Sequence, residues 1–310
     1  MRYLFDSFYY VWISIFSLFL SVFYLNAEVL IMTHMYNKPK LIYWQEAVLR
    51  KFIKDDYKFI IFNDAPTEQL SLEVKAICQS LNLTCIDVPQ VIHDYKNPYL
   101  PGNRNPLGDP SAECADTIQY MLDTIGFDHP GKVMVLDSDM FLIREVHIEE
   151  IMKGYDILGH NQTRQGLQEK VTYLLPNLMI FDMARLSDKK TLNFNLGIID
   201  GVRVDTGGYT YLYLRDHPEV KWLKVNCVYS LHANSELDLD TIHYFKSHSQ
   251  LFNLMIENKY DYEFYANYTF LHFRAGSNWY NMDQEKRKEK LRLFYGALAD
   301  ILGQSFSLPE

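Results

Sequence analysis

Apolar and polar residues alternate along this chain in blocks that predict strands and helices in turn. Short apolar runs at 28–33, 58–63 and 83–88 are typical of buried strands. Segments with helical spacing lie between them, at 41–53 and at 66–81, where Pro and Thr open the second helix. Because strands that alternate with helices build βαβ units, this half of the chain predicts an α/β fold with a mostly parallel sheet flanked by helices.

The pattern changes between residues 89 and 110, where Pro, Gly and Asn are frequent and a long loop is predicted. Long loops inside compact domains are usually functional. A helix is expected over 111–125, with Ser111 as its N-cap and with Glu113 and Asp116 in its early turns. This loop and helix lead directly into the most distinctive stretch of the chain.

That stretch is 132–143, with the sequence KVMVLDSDMFLI. It begins like a strand that is buried on both faces, and Asp137 and Asp139 then interrupt it. Two unpaired carboxylates at the edge of a hydrophobic core are costly, so a positive charge is expected beside them. They share a side of an extended chain, and a slight kink would turn both towards one ion. The sequence therefore predicts a divalent cation at the carboxyl end of this strand, where open α/β sheets bind ligands.

The second half of the chain predicts further elements. A short helix at 147–153, a strand at 156–159 and an apolar strand at 178–181 follow the acidic motif. Asn177 directly precedes the last of these strands, in a position that suits a turn. Asp205 precedes two glycines and the helical segment YTYLYLRDHP, so it is a good candidate for the N-cap of that helix.

Composition limits the class of protein. A chain of 310 residues with 48% hydrophobic content can bury one large core or two small ones. A formal net charge of −9 argues against a nucleic-acid partner, which needs clustered basic residues. The cysteines show no metal-ligand spacing and do not fix the compartment; they are Cys78, Cys85, Cys114 and Cys227.

The N-terminal residues form a separate segment. Residues 7–25 carry no charge and are numerous enough for a helix that crosses a bilayer. Arg2 precedes them and the next basic residue is Lys38, so we expect a single-pass anchor with the N-terminus in the cytosol and the rest lumenal or extracytoplasmic. Two alternatives remain. The segment could be a signal peptide that is cleaved near Ala27 to release a secreted protein, or it could be a partly buried helix. We therefore divide the chain into an anchor or signal segment, 1–27, and one folded domain, 28–310.

The apolar strand that runs into Asp137-Ser138-Asp139 resembles the metal-binding motif of GT-A fold nucleotide-sugar glycosyltransferases. The order of the predicted elements before it is similar to the nucleotide-binding half of that Rossmann-like fold. The resemblance implies a hexosyl-transferring enzyme in which Asp137 and Asp139 hold Mn²⁺ or Mg²⁺ against the donor diphosphate. A UDP-sugar is the favoured donor, and the acceptor is a glycan, a lipid or a protein.

The same resemblance implies the residues around the donor. The nucleotide is expected at the end of the first strand, near Thr33, His34 and Tyr36, and Asp116 and Ser138 complete the donor-binding set. In the glycogenin-like branch, a residue in the place of Asn177 faces the donor sugar and the acceptor. An acidic residue in the place of Asp205 contacts the transferred sugar, which makes Asp205 a candidate catalytic residue.

The segment FLHFRAGSNWY, residues 270–280, resembles the His-x-x-Gly-x-x-Lys-Pro-Trp signature of glycogenin-like glycosyltransferases. It implies that His272 is the third metal ligand, that Gly276 allows close approach to the diphosphate, and that Trp279 packs the segment down. The His-to-Gly spacing is one residue longer here, and Ser-Asn replaces the Lys-Pro pair. Arg274 is therefore the candidate for the missing phosphate contact.

Two other functions remain open at this point. A phosphohydrolase would use Asp137 as its nucleophile, although Phe141 departs from that pattern and no Gly-Asp-x-x-x-Asp follows. A non-catalytic nucleotide- or carbohydrate-binding protein would keep the fold without turning over a donor. The sequence also leaves open whether a glycosyltransferase reaction would invert or retain the anomeric centre.

Overall fold

The computed structural model describes residues 28–94, 110–229, 238–257, 261–274 and 283–304. Within them the chain folds into strands and helices that alternate in the first half. The strands, β1 to β13, are Val29–Met35, Tyr57–Asn63, Thr84–Asp87, Lys132–Leu136, Met140–Leu142, Ile157–Gln165, Lys170–Asp182, Gly197–Ile199, Val202–Val204, Trp222–Lys224, Cys227–Val228, Tyr262–Tyr265 and Phe270–Phe273. The helices, α1 to α8, are Leu41–Phe52, Glu68–Ser80, Pro110–Met121, Ile148–Ile151, Thr210–Asp216, Leu239–Ser247, Ser249–Glu257 and Gln284–Leu302.

Seven strands form the central sheet, in the order β10-β6-β7-β4-β1-β2-β3. Strands β4, β1, β2 and β3 pair in parallel, and β10 is parallel to β6. Strand β7 is antiparallel to both of its neighbours, so it runs against the direction of the others. The prediction of an α/β fold with a mostly parallel central sheet and flanking helices is confirmed.

A second sheet of four strands has the order β11-β12-β13-β5, and each of its pairs is antiparallel. Its edge strand β5 follows β4 after a gap of only three residues, Asp137 to Asp139. The acidic motif therefore lies where the chain passes from one sheet to the other. The hairpin β8–β9 forms a third, two-stranded sheet.

Both faces of the central sheet are covered. Along β4, Val133 and Val135 enter one hydrophobic core, and Met134 and Leu136 enter the other. This alternation explains why the segment is apolar throughout, because each residue of a doubly covered strand needs an apolar side chain. One face packs against α3, while α1, α7 and α8 pack on the other, together with the second sheet.

Helix α8 supports the strands on either side of the acidic motif. Phe294 is fully buried and stacks on Phe273 of β13, with ring centroids 4.1 Å apart. The same ring meets the edge of Phe141 of β5 at 5.0 Å. A single helix thus fixes the spacing of the two strands that reach the candidate site.

Several expectations about local structure were wrong. Residues 132–143 are two strands in different sheets and not one kinked strand, because the chain turns at the acidic motif. Ser111 lies inside α3, which begins at Pro110, a residue that suits the first turn of a helix. Asp205 is not the N-cap of α5: that position is Tyr209, and Asp205 Oδ1 accepts a hydrogen bond of 2.9 Å from Thr206 N.

The strands β6 and β7 are much longer than the predicted 156–159 and 178–181, because they continue as an antiparallel hairpin. The outer part of β6, 161–165, is polar, and in β7 Pro176 and Asn177 separate the outer apolar residues from the run at 178–181, so neither strand shows its full length as one apolar run. Helices α6, α7 and α8 were not predicted. A π-helical turn, Leu122–Gly126, extends α3 over the rest of the predicted helix 111–125.

The predicted membrane segment, with the whole of 1–27, lies outside the described residues. Among the residues that are described, none of the helices is both long and apolar enough to cross a bilayer.

Candidate active site

A cavity of about 670 Å³ opens at the carboxyl ends of β1, β2 and β4. This is the edge at which open α/β sheets bind ligands. It contains most of the residues that the sequence singled out, and its described lining is His34, Tyr36, Asn37, Asp64, Pro66, Pro110, Ser111, Glu113, Cys114, Asp137, Ser138, Asp139, Leu175, Pro176, Asn177, Asp205, Thr206 and His272.

The acidic motif forms a tight turn. Met140 N donates a hydrogen bond of 3.1 Å to Asp137 O, and Ser138 N donates one of 2.8 Å to Asp137 Oδ1. The buried amide of Gln45 on α1 donates to Asp137 O at 2.8 Å and to Met140 O at 3.1 Å. These hydrogen bonds, within the turn and from α1, fix its shape, and the turn brings both carboxylates to the cavity. The sequence had predicted an extended chain with a slight kink instead.

Strand pairing brings His272 to this turn from the far end of the chain. Strand β13 is antiparallel to β5 and places His272 opposite Met140. Its Nε2 lies 3.0 Å from Asp139 Oδ1, across 133 residues of sequence. One ligand atom from each of Asp137, Asp139 and His272 lies within 4.8 Å of the others. Two carboxylate oxygens and one imidazole nitrogen form a donor set that fits a borderline divalent cation such as Mn²⁺.

Glu263 orients the histidine, a role that was not predicted from the sequence. It faces His272 across the β12–β13 pair, and its Oε2 lies 2.7 Å from His272 Nδ1. The same oxygen accepts a hydrogen bond of 2.7 Å from the Tyr265 hydroxyl. A metal-binding histidine usually has its second ring nitrogen held by such a carboxylate. The signal in the sequence is an acidic residue inside the otherwise aromatic strand Tyr262–Tyr265.

The electrostatics of the cluster follow from burial and close charges. Burial raises the pKa of Asp137, and the neighbouring Asp139 raises it further. Burial alone would lower the pKa of His272, but Asp139 and Glu263 outweigh it and raise the value to about 10. Burial would raise the pKa of Glu263, yet the bond to His272 lowers it to about 2. Two buried carboxylates, Asp139 and Glu263, and the half-buried Asp137 surround one imidazole and make a site that favours positive charge.

Of the residues expected around the nucleotide, His34, Tyr36 and Ser138 line the cavity and Thr33 does not. His34 and Tyr36 line the cavity, and His34 Nε2 is 3.9 Å from Asp137 Oδ1. Ser138 lies in the turn between the two aspartates and is buried. Thr33 is fully buried in β1 and does not line the cavity.

Asn177 and Asp205 both line the cavity and are half-buried. Asn177 Nδ2 lies 3.3 Å from His272 Nε2, and its backbone carbonyl accepts a hydrogen bond of 3.1 Å from Asp137 N. It is therefore part of the same cluster. Asp205 lies in the wall formed by the segment that leads from β9 to α5.

Three other predicted residues lie away from the cavity or outside the described chain. Asp116 is buried in α3, where its Oδ2 is 3.6 Å from His93 Nδ1. Arg274 directly follows β13 with a half-exposed side chain, and its Nε is 3.7 Å from Glu263 Oε1. Gly276 lies outside the described residues.

Asp64 is a cavity residue that the sequence analysis did not identify. It follows β2, and its Oδ1 is 2.9 Å from His93 Nε2, while the Thr117 hydroxyl donates to Oδ2 at 2.7 Å. His93 is thus held between Asp64 and Asp116. Burial lowers the pKa of His93, but the two carboxylates outweigh it and raise the value to about 10.

No protein-family model and no curated protein matches this chain. Solved structures that align with about half of it include core-mannan synthase A from Aspergillus fumigatus in its Mn/GDP form, with 10% identity, a TM-score of 0.35, and coverage of 50% of this chain and 59% of that one. The mannosyltransferase Ktr4p from S. cerevisiae aligns with 8% identity, a TM-score of 0.37, and coverage of 54% and 59%. The bifunctional glycosyltransferase WbbM aligns with 6% identity, a TM-score of 0.33, and coverage of 51% and 32%. These similarities are too weak to carry an argument about activity, which rests below on the site.

Proposed function

We propose that this protein is a metal-dependent glycosyltransferase that moves a sugar from a nucleotide-diphosphate donor to an acceptor hydroxyl. The observation that carries the proposal is the cluster of Asp137, Asp139 and His272 at the edge of a large cavity. The Asp-x-Asp turn and the distant histidine are the two features in which the sequence resembles glycogenin-like GT-A enzymes. A UDP-sugar is the first donor to test.

Asp137, Asp139 and His272 would hold Mn²⁺ or Mg²⁺, which when bound supplies positive charge for the departing diphosphate. Glu263 keeps the imidazole in place through Nδ1 and leaves Nε2 directed at Asp139. Arg274, two residues after His272, is the candidate for a phosphate contact.

The first strand and the loop after it line the cavity with His34, Tyr36 and Asn37, and we assign the nucleotide to His34 and Tyr36. Thr33 supports them from the core, and Asp116 acts through His93 and Asp64. Asn177 and Asp205 are assigned to the transferred sugar and the acceptor. Asp205 is the candidate base if the reaction inverts the anomeric centre.

A donor screen tests the proposal. The full chain is incubated with Mn²⁺ and a panel of nucleotide sugars, and the release of nucleotide diphosphate is measured. Release with one donor is expected, and Asp137→Asn or Asp139→Asn should lower it by about a hundredfold or more, as loss of a key transition-state charge contact does. Asp128→Asn is the matched control, since Asp128 is exposed and pairs with Lys190.

Two results would overturn the glycosyltransferase activity, and a third would overturn its dependence on the metal site. One is the absence of release with every donor, although Mn²⁺ binds. The other is a phosphoaspartate trapped at Asp137, which would establish the phosphohydrolase alternative. Unchanged turnover in both aspartate variants would remove the cation cluster from the reaction.

We also propose that residues 7–25 tether the protein to a membrane, because this stretch is uncharged and of spanning length. The full chain should stay with membranes after carbonate extraction, and a variant without 7–25 should not. A mature protein that begins at Glu28 would instead indicate a cleaved signal.

A further inference from the structure

A second, smaller cavity of about 300 Å³ adjoins the candidate active site. Ser111 and Asp205 line both cavities, so a molecule that reaches Asp205 from the larger cavity can extend into the smaller one. The described lining of the smaller cavity carries two positive side chains and one negative, and consists of Ser111, Arg164, Leu196, Arg203, Val204 and Asp205. In a chain with a formal net charge of −9, two arginines in one small cavity favour an anionic ligand.

Arg164 on β6 is held in place by neutral groups. Its Nε donates to the Tyr173 hydroxyl at 3.2 Å and to Gln162 Oε1 at 3.3 Å, and its Nη2 donates to Gln162 Oε1 at 3.2 Å. Within the described residues, no carboxylate lies within 4.0 Å of its guanidinium. The charge of Arg164 is therefore oriented but not neutralised by an ion pair with those residues, and a guanidinium in this state suits bidentate binding of an oxyanion.

The network that holds Arg164 also reaches the larger cavity. Tyr173 is fully buried, and its hydroxyl accepts a hydrogen bond of 3.2 Å from Asp205 N. One phenol oxygen thus links Arg164 to the backbone of the residue that we assign to the sugar and acceptor. Because the phenol is fixed in the core, the distance between the arginine and Asp205 is also fixed.

Arg203 supplies the second guanidinium from a different element. It lies in β9, opposite Ile198 of β8, and lines the same cavity as Arg164. Two cationic side chains that enter one cavity from separate hairpins can contact an oxyanion from two sides. Arg203 is exposed and Arg164 is half-buried, and the feature that distinguishes them from a lone surface arginine is that both line one cavity.

We propose that Arg164 and Arg203 form an anion-binding subsite that takes a carboxylate or phosphate group of the acceptor. The identification of the ligand as the acceptor rests on the proposed function, whereas the binding of the anion does not. The donor diphosphate is assigned to the Asp137, Asp139 and His272 cluster, which lines the larger cavity and not the smaller one. The subsite would make the enzyme select acidic acceptors over neutral ones of the same size.

Direct binding tests the subsite without turnover. In metal-free buffer, calorimetry compares the full chain with two matched pairs of probes: methyl β-glucuronide against methyl β-glucoside, and glucose 6-phosphate against glucose. We expect at least one anionic probe to bind about tenfold more tightly than its neutral partner, the scale of one hydrogen-bonded charge contact. The carboxylate and phosphate arms then identify the group that the subsite prefers.

Variants assign the preference to the two arginines. Arg164→Gln and Arg203→Gln should each remove most of this preference, and Arg164→Lys should retain part of it because the charge remains. Arg215→Gln is the control, since Arg215 is exposed on α5 and pairs with Asp216 at 2.9 Å. Thermal unfolding of each variant shows whether it is folded.

Equal binding of charged and neutral probes by the wild type would overturn the subsite. A preference for the anionic probe that persists in both folded variants, Arg164→Gln and Arg203→Gln, would also overturn the subsite. This outcome is independent of the donor screen. A preference for the anionic probe without release of nucleotide diphosphate would support the subsite and reject the glycosyltransferase. Release without such a preference would support the glycosyltransferase and reject the subsite.

Discussion

At the scale of single residues, the candidate site depends on a histidine between carboxylates. His272 is 4% exposed and meets Asp139 with one ring nitrogen and Glu263 with the other. Removing the imidazole would take a close positive partner away from two buried carboxylates, which is destabilising. His272→Ala should therefore lower stability as well as metal affinity, and a change at Glu263 separates the two effects better.

Glu263→Gln should weaken Mn²⁺ binding by about 10- to 100-fold, the usual effect of losing the carboxylate that orients a metal-binding histidine. The amide keeps the shape of the side chain but removes its charge. Calorimetric titration of Mn²⁺ measures the change. Glu145→Gln is the control, because Glu145 is exposed and pairs with Lys54. Equal Mn²⁺ affinity in wild type and Glu263→Gln would show that the His272 imidazole does not need the Glu263 carboxylate to bind the metal.

His93 gives a prediction about pH. Its pKa in the folded protein, about 10, lies above the ordinary value of 6.5, so it stabilises the fold most fully below about pH 6.5 and loses that contribution as pH rises towards 10. Wild type should have a higher free energy of unfolding than His93→Gln. The difference should be largest at pH 6, where it is about 1.4 kcal/mol or more, and it should shrink towards pH 10.

Urea unfolding across this pH range measures the difference. His243→Gln is the control, since His243 is exposed on α6. A difference that stays constant or grows from pH 6 to pH 10 would show that the two carboxylates do not raise the pKa of His93.

At the scale of elements, the turn that leads from β9 into α5 forms the wall with Asp205. Gly207 has φ +82°, and a Cβ there would lie 2.1 Å from the carbonyl oxygen of Leu174. Its N–H donates a hydrogen bond of 2.7 Å to Phe194 O. Only glycine allows this backbone conformation so close to another strand.

Gly207→Ala should lower the free energy of unfolding by about 3 kcal/mol or more, because a backbone clash adds to the strain of the left-handed conformation. Gly154→Ala is the matched control: Gly154 has φ +85°, but a Cβ there meets no atom within 4 Å. It should cost only about 1 kcal/mol. Urea denaturation compares the two, and equal costs would mean that the close approach to Leu174 contributes nothing.

The elements also show how far the sequence allowed prediction. Buried strands such as β1 and β2 were predictable because their central positions, 30–32 and 59–62, are covered on both faces and are all apolar. The sheet of β5, β12 and β13 was not, because β5 continues an apolar run across the Asp137-Ser138-Asp139 turn, and apolar runs do not show which sheet a strand joins. His272 was found through its resemblance to a family signature and not through a pattern. Asp64 becomes recognisable only through contacts across the fold, and Glu263 stands out in its aromatic strand, but its role follows only from the pairing with His272.

At the scale of the whole molecule, the candidate metal site joins the two main sheets. Asp137 and Asp139 leave the central sheet at the end of β4, and His272 belongs to the second sheet through β13. Both sheets contribute to one hydrophobic core, which also includes α1 and α8. Because that core is continuous, the described parts of the chain should unfold together, and an ion at the junction should stabilise all of them.

Mn²⁺ should therefore raise the thermal midpoint of the whole chain. At a concentration of about 100 times the dissociation constant, a ligand that binds only the native state adds about 2.7 kcal/mol. For a chain of this size, that corresponds to a rise of about 5 °C. Calorimetry should show one transition that moves to higher temperature with Mn²⁺ and returns to its starting point after chelation.

Asp139→Asn should abolish most of the shift. Asp128→Asn is the control and should retain it, because Asp128 is exposed and pairs with Lys190 away from the junction of the two sheets. The same shift in Asp139→Asn and wild type would place the ion elsewhere, while two separate transitions, of which only one moves, would show that the sheets unfold independently.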